Sequence, residues 1–419
     1  MLPHELPISK VSRMKKKIFY GWWIVAACFI LGLYKSSVVF YGFTAFMEPL
    51  VREFGWTYTQ VSFAVSLRGL EMGIFNPLAG FLVDRFGCRK MILIGTFTVG
   101  LGLILLSFTQ SLLMFYAAFL ILAFGAGACA GLVLMVAVAN WFHKKVGLAF
   151  GLTASGIGAS GLLLPIIVSL IEVYHWRTTL IILGIGMWLL GIPLSLVIRN
   201  RPEDYGYRPD GELIGSQPPS PEWEKPVAEI SFKEVLRGRN FLYLNLAEFI
   251  RHILVSAAVL HVMPYLASIG ISRMNAGLLA AGIPLFSIIG RFGFGWLGDL
   301  YNKRYVYAIS FALMGAGMLA FCYAQVGFFA FLFLLLFSPG FGGSMVLRGS
   351  IVREYFGRAD FGKIVGIIMG FGSIGGILGP TLAGWVFDTQ GSYYWIWLIF
   401  SVLMIPTAWM VLKITPVKE

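Results

Sequence analysis

Charge is scarce in this chain. Of its 419 residues, 12% are Asp, Glu, Lys or Arg and 58% are hydrophobic. A soluble domain averages about 25% charged residues. Half that charge does not cover a globule of this size, which excludes a soluble enzyme and a disordered chain. Cysteine is scarce as well. Cys28, Cys88, Cys129 and Cys322 are too scattered for a zinc site, a CxxC pair or a secreted disulfide scaffold, and they read as reduced and structural. The sequence has no HExxH run, no paired catalytic aspartates, no nucleophile–base pair and no P-loop. No enzyme, no metal, no cofactor and no ATP-driven step is therefore expected. A cleavable signal peptide is also not evident. Met1 to Lys17 is polar and basic, and the apolar run after Tyr20 is too long for one.

What is present in excess is apolar sequence in long runs. A bilayer core takes about 20 apolar residues per helix. Twelve runs qualify, at 20–48, 58–83, 91–110, 112–140, 146–174, 177–199, 240–268, 274–299, 304–324, 326–354, 361–388 and 392–413. They are numbered spans 1 to 12 below. The net charge of +12 is not gathered into a nucleic-acid face. With the N-terminus in the cytoplasm, 24 of the 32 lysines and arginines fall on that side and three (Arg52, Arg177 and Arg273) on the other. This bias predicts cytoplasmic termini in a multi-pass inner or plasma membrane protein. The predicted organisation is an N-terminal tail (1–19), a six-helix bundle (20–199), a polar cytoplasmic linker (200–239), a second six-helix bundle (240–413) and a short tail (414–419).

The halves repeat each other at an offset of 215 residues. Gly80-x-x-x-Asp84 ends span 2 and Gly295-x-x-x-Asp299 ends span 8, while Pro165 recurs as Pro380. A six-plus-six parallel repeat is a transporter layout, with the substrate site near the midplane between the halves.

Several motifs carry a resemblance. GFLVDRFGCRK (Gly80 to Lys90) resembles the signature loop of the major facilitator superfamily, and GWLGDLYNKR (Gly295 to Arg304) is its weaker echo. More narrowly, WFHKKVGLAFGLTASGIG (Trp141 to Gly158) is similar to the helix-5 signature of the monocarboxylate transporters and their oxalate/formate relatives. Tyr20-Gly21-Trp22-Trp23 and RPEDYGYRPDGE (Arg201 to Glu212) are similar to the opening of helix 1 and the start of the central loop there. The resemblance implies an all-α major facilitator fold of twelve transmembrane helices in two pseudo-repeats. It also implies that Gly80, Asp84, Arg85 and Arg89 belong to a gating loop, with Asp299 as its echo.

Ionisable groups at the bilayer centre cost at least about 2.5–3.5 kcal/mol each, so each needs a partner or a cavity. Five cations lie in spans (Lys35, Arg68, Arg251, Arg291 and Arg348) against two carboxylates, Glu71 and Glu248. A net-positive cavity attracts an anion. Arg291 stands eight residues before Asp299, about 12 Å from that end of span 8. By the resemblance it matches the helix-8 arginine that binds the substrate carboxylate; a snorkelling structural arginine is the alternative. A guanidinium fork suits a carboxylate through two parallel hydrogen bonds. Lys35 lies about 22 Å up span 1 and matches the family's helix-1 lysine; the alternative is a lysine snorkelling outward.

Glu71 and Arg68 are three apart on span 2, and are either a proton-exchanging pair or a permanent ion pair. Glu248, Arg251 and His252 on span 7 form either a proton relay or a satisfied structural cluster. His261 lies further out and reads as an interface residue. Arg348 either gates against Asp299 or Glu354 or snorkels. Asn76 is the repeat mate of Arg291, and Asn140 ends span 4; each either donates to a carboxylate oxygen or only holds helices together. Tyr34 and Tyr41 either wall the pocket or serve helix packing or the interface belt. The resemblance also marks a departure. Animal monocarboxylate transporters carry an aspartate four residues before the helix-8 arginine, and here that residue is Ser287.

Small residues let membrane helices approach closely. Gly147, Gly151, Gly156, Gly158 and Gly161 line span 5, and Gly366, Gly370, Gly372, Gly375, Gly376 and Gly379 line span 11; the resemblance implies that these helices form the moving contact between halves, and tight packing without motion is the alternative. The expectation is a gradient-driven secondary transporter working by alternating access as a monomer. Its partners are a small monocarboxylate such as lactate or pyruvate, a proton and the lipid bilayer, with no nucleic acid. Exchange of organic anions or a larger carboxylate is the alternative, and a non-transporting sensor a remote one.

Overall fold

The computed structural model describes residues 19–67, 82–83, 85–129, 131–142, 146–205, 232–356 and 361–414. Arg68, Glu71, Asn76, Gly80 and Asp84 lie outside the described residues. Every regular element among the described residues is helical. Ten helical stretches are long and apolar enough to cross a membrane. One of them, Leu148–Val197, runs for 50 residues. At 1.5 Å per residue that is more than twice the thickness of a bilayer core. The chain resolves this by turning at His175, where φ is 62° and ψ 162°. Spans 5 and 6 therefore meet where the sequence ends one and begins the next. Span 2 opens as the helix Tyr58–Ser66, started by a capping box in which Thr57 and Gln60 exchange hydrogen bonds.

The helices are apolar around their whole circumference, as lipid requires. Leu189 and Ile405 are each 70% exposed and Trp296 is 64% exposed. Such surface is a liability in water and ordinary in a bilayer.

Inside each half, bare backbone lets helices touch. A Cβ on Gly290 of span 8 would stand 2.0 Å from the Pro339 carbonyl oxygen of span 10. One on Gly342 of span 10 would meet Ser287 of span 8 at the same distance. Between the halves, span 5 lies on span 8. A Cβ on Gly161 would come within 2.2 Å of the Ala281 oxygen, and one on Gly158 within 2.3 Å of Ile288. The glycine stripes do not all serve this contact. Gly156 packs on Phe29 of span 1, and Gly375 and Gly379 pack on span 7, so these three join helices within one half. Gly151, Gly366, Gly370 and Gly376 have open space where a Cβ would stand. The reason is geometric: a stripe of glycines along one helix faces several neighbours as the helix turns.

Two breaks in helix geometry meet near the middle of the first half. Span 1 runs as an α-helix over Tyr20–Lys35, widens into a π turn over Ser36–Tyr41 and resumes over Thr44–Phe54. Span 5 tightens into a 3₁₀ turn over Ser160–Leu163. The Ser37 hydroxyl donates to the Ser160 carbonyl at 2.8 Å and ties the two breaks together. Such irregular turns inside membrane helices are common at functional sites.

Gly290→Ala is expected to lower the thermal midpoint of the detergent-solubilised protein, since overpacking costs about 1–3 kcal/mol. Gly376→Ala is expected to leave it unchanged. Fluorescence-monitored melting of both variants checks this.

Candidate functional site

Arg291 sits where the halves meet. Its Nη1 donates to the Ala154 carbonyl of span 5 at 2.8 Å, and its Nη2 lies 4.0 Å from Met345 Sδ of span 10. Its Nε is buried with no hydrogen-bond partner. Among the described residues no carboxylate pairs with it. Tyr41, delivered by the π turn and 3% exposed, is close enough to interact with it electrostatically. Ser287, one turn away, is fully buried and donates to the Pro284 carbonyl at 2.6 Å.

Lys35, just before the π turn, points its Nζ at the Ala126 carbonyl of span 4, 3.4 Å away. Two expected lining residues do not join this site. Tyr34 is rotated by one helical step from Lys35, and its hydroxyl donates to the Leu183 carbonyl of span 6 at 2.9 Å. It is a tie inside the first half. Asn140 donates to the Asn200 carbonyl at 2.9 Å, at the end of the bundle where span 1 begins. Its position at the end of span 4 puts it at the mouth, away from the midplane.

That Asn200 anchors the signature loop. Its side-chain oxygen accepts from the Arg89 backbone N–H at 3.0 Å, and Gly87, with φ at 79°, lets the chain turn against it. Arg199 is sandwiched between the Tyr20 and Tyr205 rings at 4.1 and 3.9 Å. Arg85 lies over the Phe86 ring, 5.6 Å from its centre, and Asp299 is exposed at the same end of the molecule.

The span 7 charges form one buried cluster. Glu248 is fully buried. Its Oε2 accepts from Arg251 Nε and Nη2 at 3.0 and 2.8 Å and from Arg348 Nη1 of span 10 at 3.2 Å. Its Oε1 accepts from the Tyr307 hydroxyl of span 9. His252 Nδ1 lies 2.8 Å from the Glu248 backbone oxygen, and the ring packs against Gly372 of span 11. Arg348 thus pairs with Glu248 and not with Asp299 or Glu354. Glu354 pairs instead with Lys303. Four donated hydrogen bonds commit the Glu248 carboxylate, so the cluster has the geometry of a satisfied ion network rather than an open relay.

The side away from Tyr20 carries a set of bonds between the halves that sequence reading missed. Asp388, at the end of span 11, accepts from the Tyr58 and Thr59 backbone N–H groups at 3.1 and 2.8 Å. It caps span 2 from the other half, where the helix dipole favours an anion. His261 is fully buried, not an interface residue. It lies 2.9 Å each from the Ser62 hydroxyl, the Pro380 carbonyl and the Tyr393 hydroxyl. The carbonyl requires a proton on Nε2, so Tyr393 donates to Nδ1. Thr44 donates to the Leu260 carbonyl at 2.7 Å, and Arg273 to the Ala45 carbonyl at 2.6 Å. No local spacing pattern signals the ties between halves, such as Ser62–His261, Thr44–Leu260 and Tyr58–Asp388 at separations of 199, 216 and 330 residues. Toward the Tyr20 side, Gly151 and Gly366 face open space.

Two helical halves, tied on one side, meet at a part-buried cation that pairs with no carboxylate among the described residues. The family model of the Major Facilitator Superfamily matches residues 29–267 and 244–419, and the chain belongs to that superfamily. Its similarity falls to the monocarboxylate branch. It is 26% identical over 408 residues to monocarboxylate transporter 12 of Rattus norvegicus, covering 92% of this chain and 83% of the relative. It is 24% identical to monocarboxylate transporter 4 of the same species, covering 91% and 80%. A solved bacterial homologue of the human lysosomal transporter Spinster, inward-facing and unoccupied, shares the fold with a TM-score of 0.71 at 15% identity, covering 94% of this chain and 96% of that one.

Asp388→Ala is expected to loosen the joined side. A cysteine introduced at Thr44, buried between the halves, should then react with a membrane-impermeant maleimide several-fold faster than it does with Asp388 intact. The loss of a charged cap of about 1 kcal/mol sets that scale.

Proposed function

We propose that this protein is a secondary transporter of small monocarboxylates such as lactate or pyruvate, moved together with a proton by alternating access. The observation that carries the reading is Arg291, a cation in mid-membrane with a buried, unpartnered Nε and no carboxylate beside it among the described residues. An isolated charge there is costly, and a substrate carboxylate relieves the cost by docking on the guanidinium fork. Tyr41 borders the carboxylate position, and Lys35 sets the field above it. The relatives named as monocarboxylate transporters support the same substrate class. Both termini and the linker lie in the cytoplasm, the membrane is the inner or plasma membrane, and one chain is the functional unit.

The proton falls to Glu71. Ser287 has no carboxylate, and Glu248 is held by two guanidinium groups and a phenol. Gly80, Asp84, Arg85, Arg89 and Asp299 act in gating on the cytoplasmic side, with Asn200 holding the loop. A second reading, exchange of one organic anion for another, is favoured by one observation: the in-span carboxylate among the described residues is already committed to its neighbours.

Labelled L-lactate uptake into proteoliposomes tests the reading. Uptake should accumulate under an inward proton gradient. Arg291→Lys should reduce it by tenfold or more, about the value of one charge-assisted bidentate contact. Glu71→Gln should abolish the response to the gradient while leaving lactate-for-lactate exchange. Uptake without any gradient response, but stimulated by preloaded organic anion, would replace symport with exchange.

A further inference from the structure

The buried cluster of span 7 does not balance its charge. One carboxylate, Glu248, faces two guanidinium groups, Arg251 and Arg348, and no other carboxylate pairs with either among the described residues. Counted over the described residues, the cluster carries one surplus positive charge. Burial divides the two cations. Arg251 is 3% exposed at its side chain and donates two hydrogen bonds to Glu248, whereas Arg348 is 11% exposed and reaches Glu248 through Nη1 at 3.2 Å. Arg251 is the structural partner, and Arg348 is the cation with a side open to its surroundings.

Position gives that opening a meaning. Arg348 follows Met345 by three residues on span 10, so the two share a helix face. Met345 is the residue whose Sδ touches Arg291 Nη2. Arg348 thus stands one turn, about 4.5 Å, beyond that contact toward the Tyr20 side. Along one face the order is Arg291, Met345 and Arg348.

We propose that Arg348 is a second carboxylate-binding subsite, which receives the substrate anion between Arg291 and the cytoplasmic mouth. The proposal rests on the reading of Arg291 as the central carboxylate site. An anion leaving Arg291 crosses the soft thioether of Met345 and is held by the free edge of the Arg348 guanidinium, whose far side stays on Glu248. The surplus charge of the cluster is then neutralised only while the anion is there. Two cationic stations, linked through Met345, lower the cost of carrying a bare carboxylate through the inner half of the membrane.

The test separates a subsite from a structural partner of Glu248. In proteoliposomes, half-saturating L-lactate is measured from the cytoplasmic and the external side for wild type, Arg348→Gln, Glu248→Gln and the double variant. Arg348→Gln leaves Glu248 paired with Arg251 and Tyr307, so the fold survives. The subsite predicts a cytoplasmic half-saturation raised about tenfold, the loss of one charge-assisted contact, with the external value nearly unchanged. The double variant should remain defective. Wild-type values in Arg348→Gln, or their return in the double variant, would overturn the proposal and leave Arg348 a mere counter-charge. Arg291→Lys, measured alongside, separates the two readings: wild-type values in Arg291→Lys would overturn the central-site reading on which this one rests, whereas wild-type values in Arg348→Gln alone overturn only the subsite. If the wild type carries no L-lactate, thermal stabilisation of the purified protein by acetate and by oxalate decides. Arg348→Gln and the double variant should need about tenfold more anion for the same stabilisation, and equal stabilisation in all four proteins would overturn the subsite.

Discussion

The structure is organised around a cation placed where a membrane protein least tolerates one. Arg291 stands at the contact of the two halves with its Nη1 on a backbone carbonyl and its Nε on nothing. Holding a guanidinium at this depth is expensive unless protein or ligand supplies the missing charge. The surrounding turns and helix contacts frame the guanidinium. The π turn of span 1 brings Tyr41 beside the arginine, and the 3₁₀ turn of span 5 sits against it through Ser37 and Ser160. Backbone-to-backbone contacts at Gly290 and Gly342 lock spans 8 and 10, which carry Arg291 and Met345.

The two sides of the molecule are unequal. On one side, Asp388, His261 (through Ser62), Thr44 and Arg273 tie the halves with hydrogen bonds, several of them to backbone groups. On the Tyr20 side the contact of spans 5 and 8 reaches Ala154 and Arg291, and beyond it Gly151 faces open space. Among the described residues the hydrogen bonds between the halves gather on one side. Under the alternating-access reading proposed above, a change of state breaks these ties together, and because they are short and discrete it is a switch between two arrangements rather than a gradual deformation.

Much of the fold was legible in the sequence because lipid leaves few solutions. Length, the Lys and Arg bias and the 215-residue repeat placed the spans, and the structure breaks the 50-residue helix at His175, where spans 5 and 6 part. Depth along span 8 and the family resemblance singled out Arg291, which the structure places at the contact of spans 5 and 8. Finer facing was not legible. Tyr34 and Lys35 are neighbours in sequence, yet one turns to span 6 and the other to span 4. Asn140 looked like a donor and proved to be a tie to Asn200. Local spacing joined Glu248 to Arg251, but Arg348 and Tyr307 come from spans 10 and 9 and complete the network only in three dimensions. Asp388 and His261 stayed hidden for the same reason.

The central claim is that the Arg291 guanidinium receives the substrate carboxylate. The most direct measurement is an experimental structure of the protein with L-lactate bound. The account predicts the carboxylate within hydrogen-bond distance of Arg291, with the Tyr41 ring against it. Lactate bound elsewhere, with the guanidinium still on the Ala154 carbonyl and no anion beside it, would contradict the account.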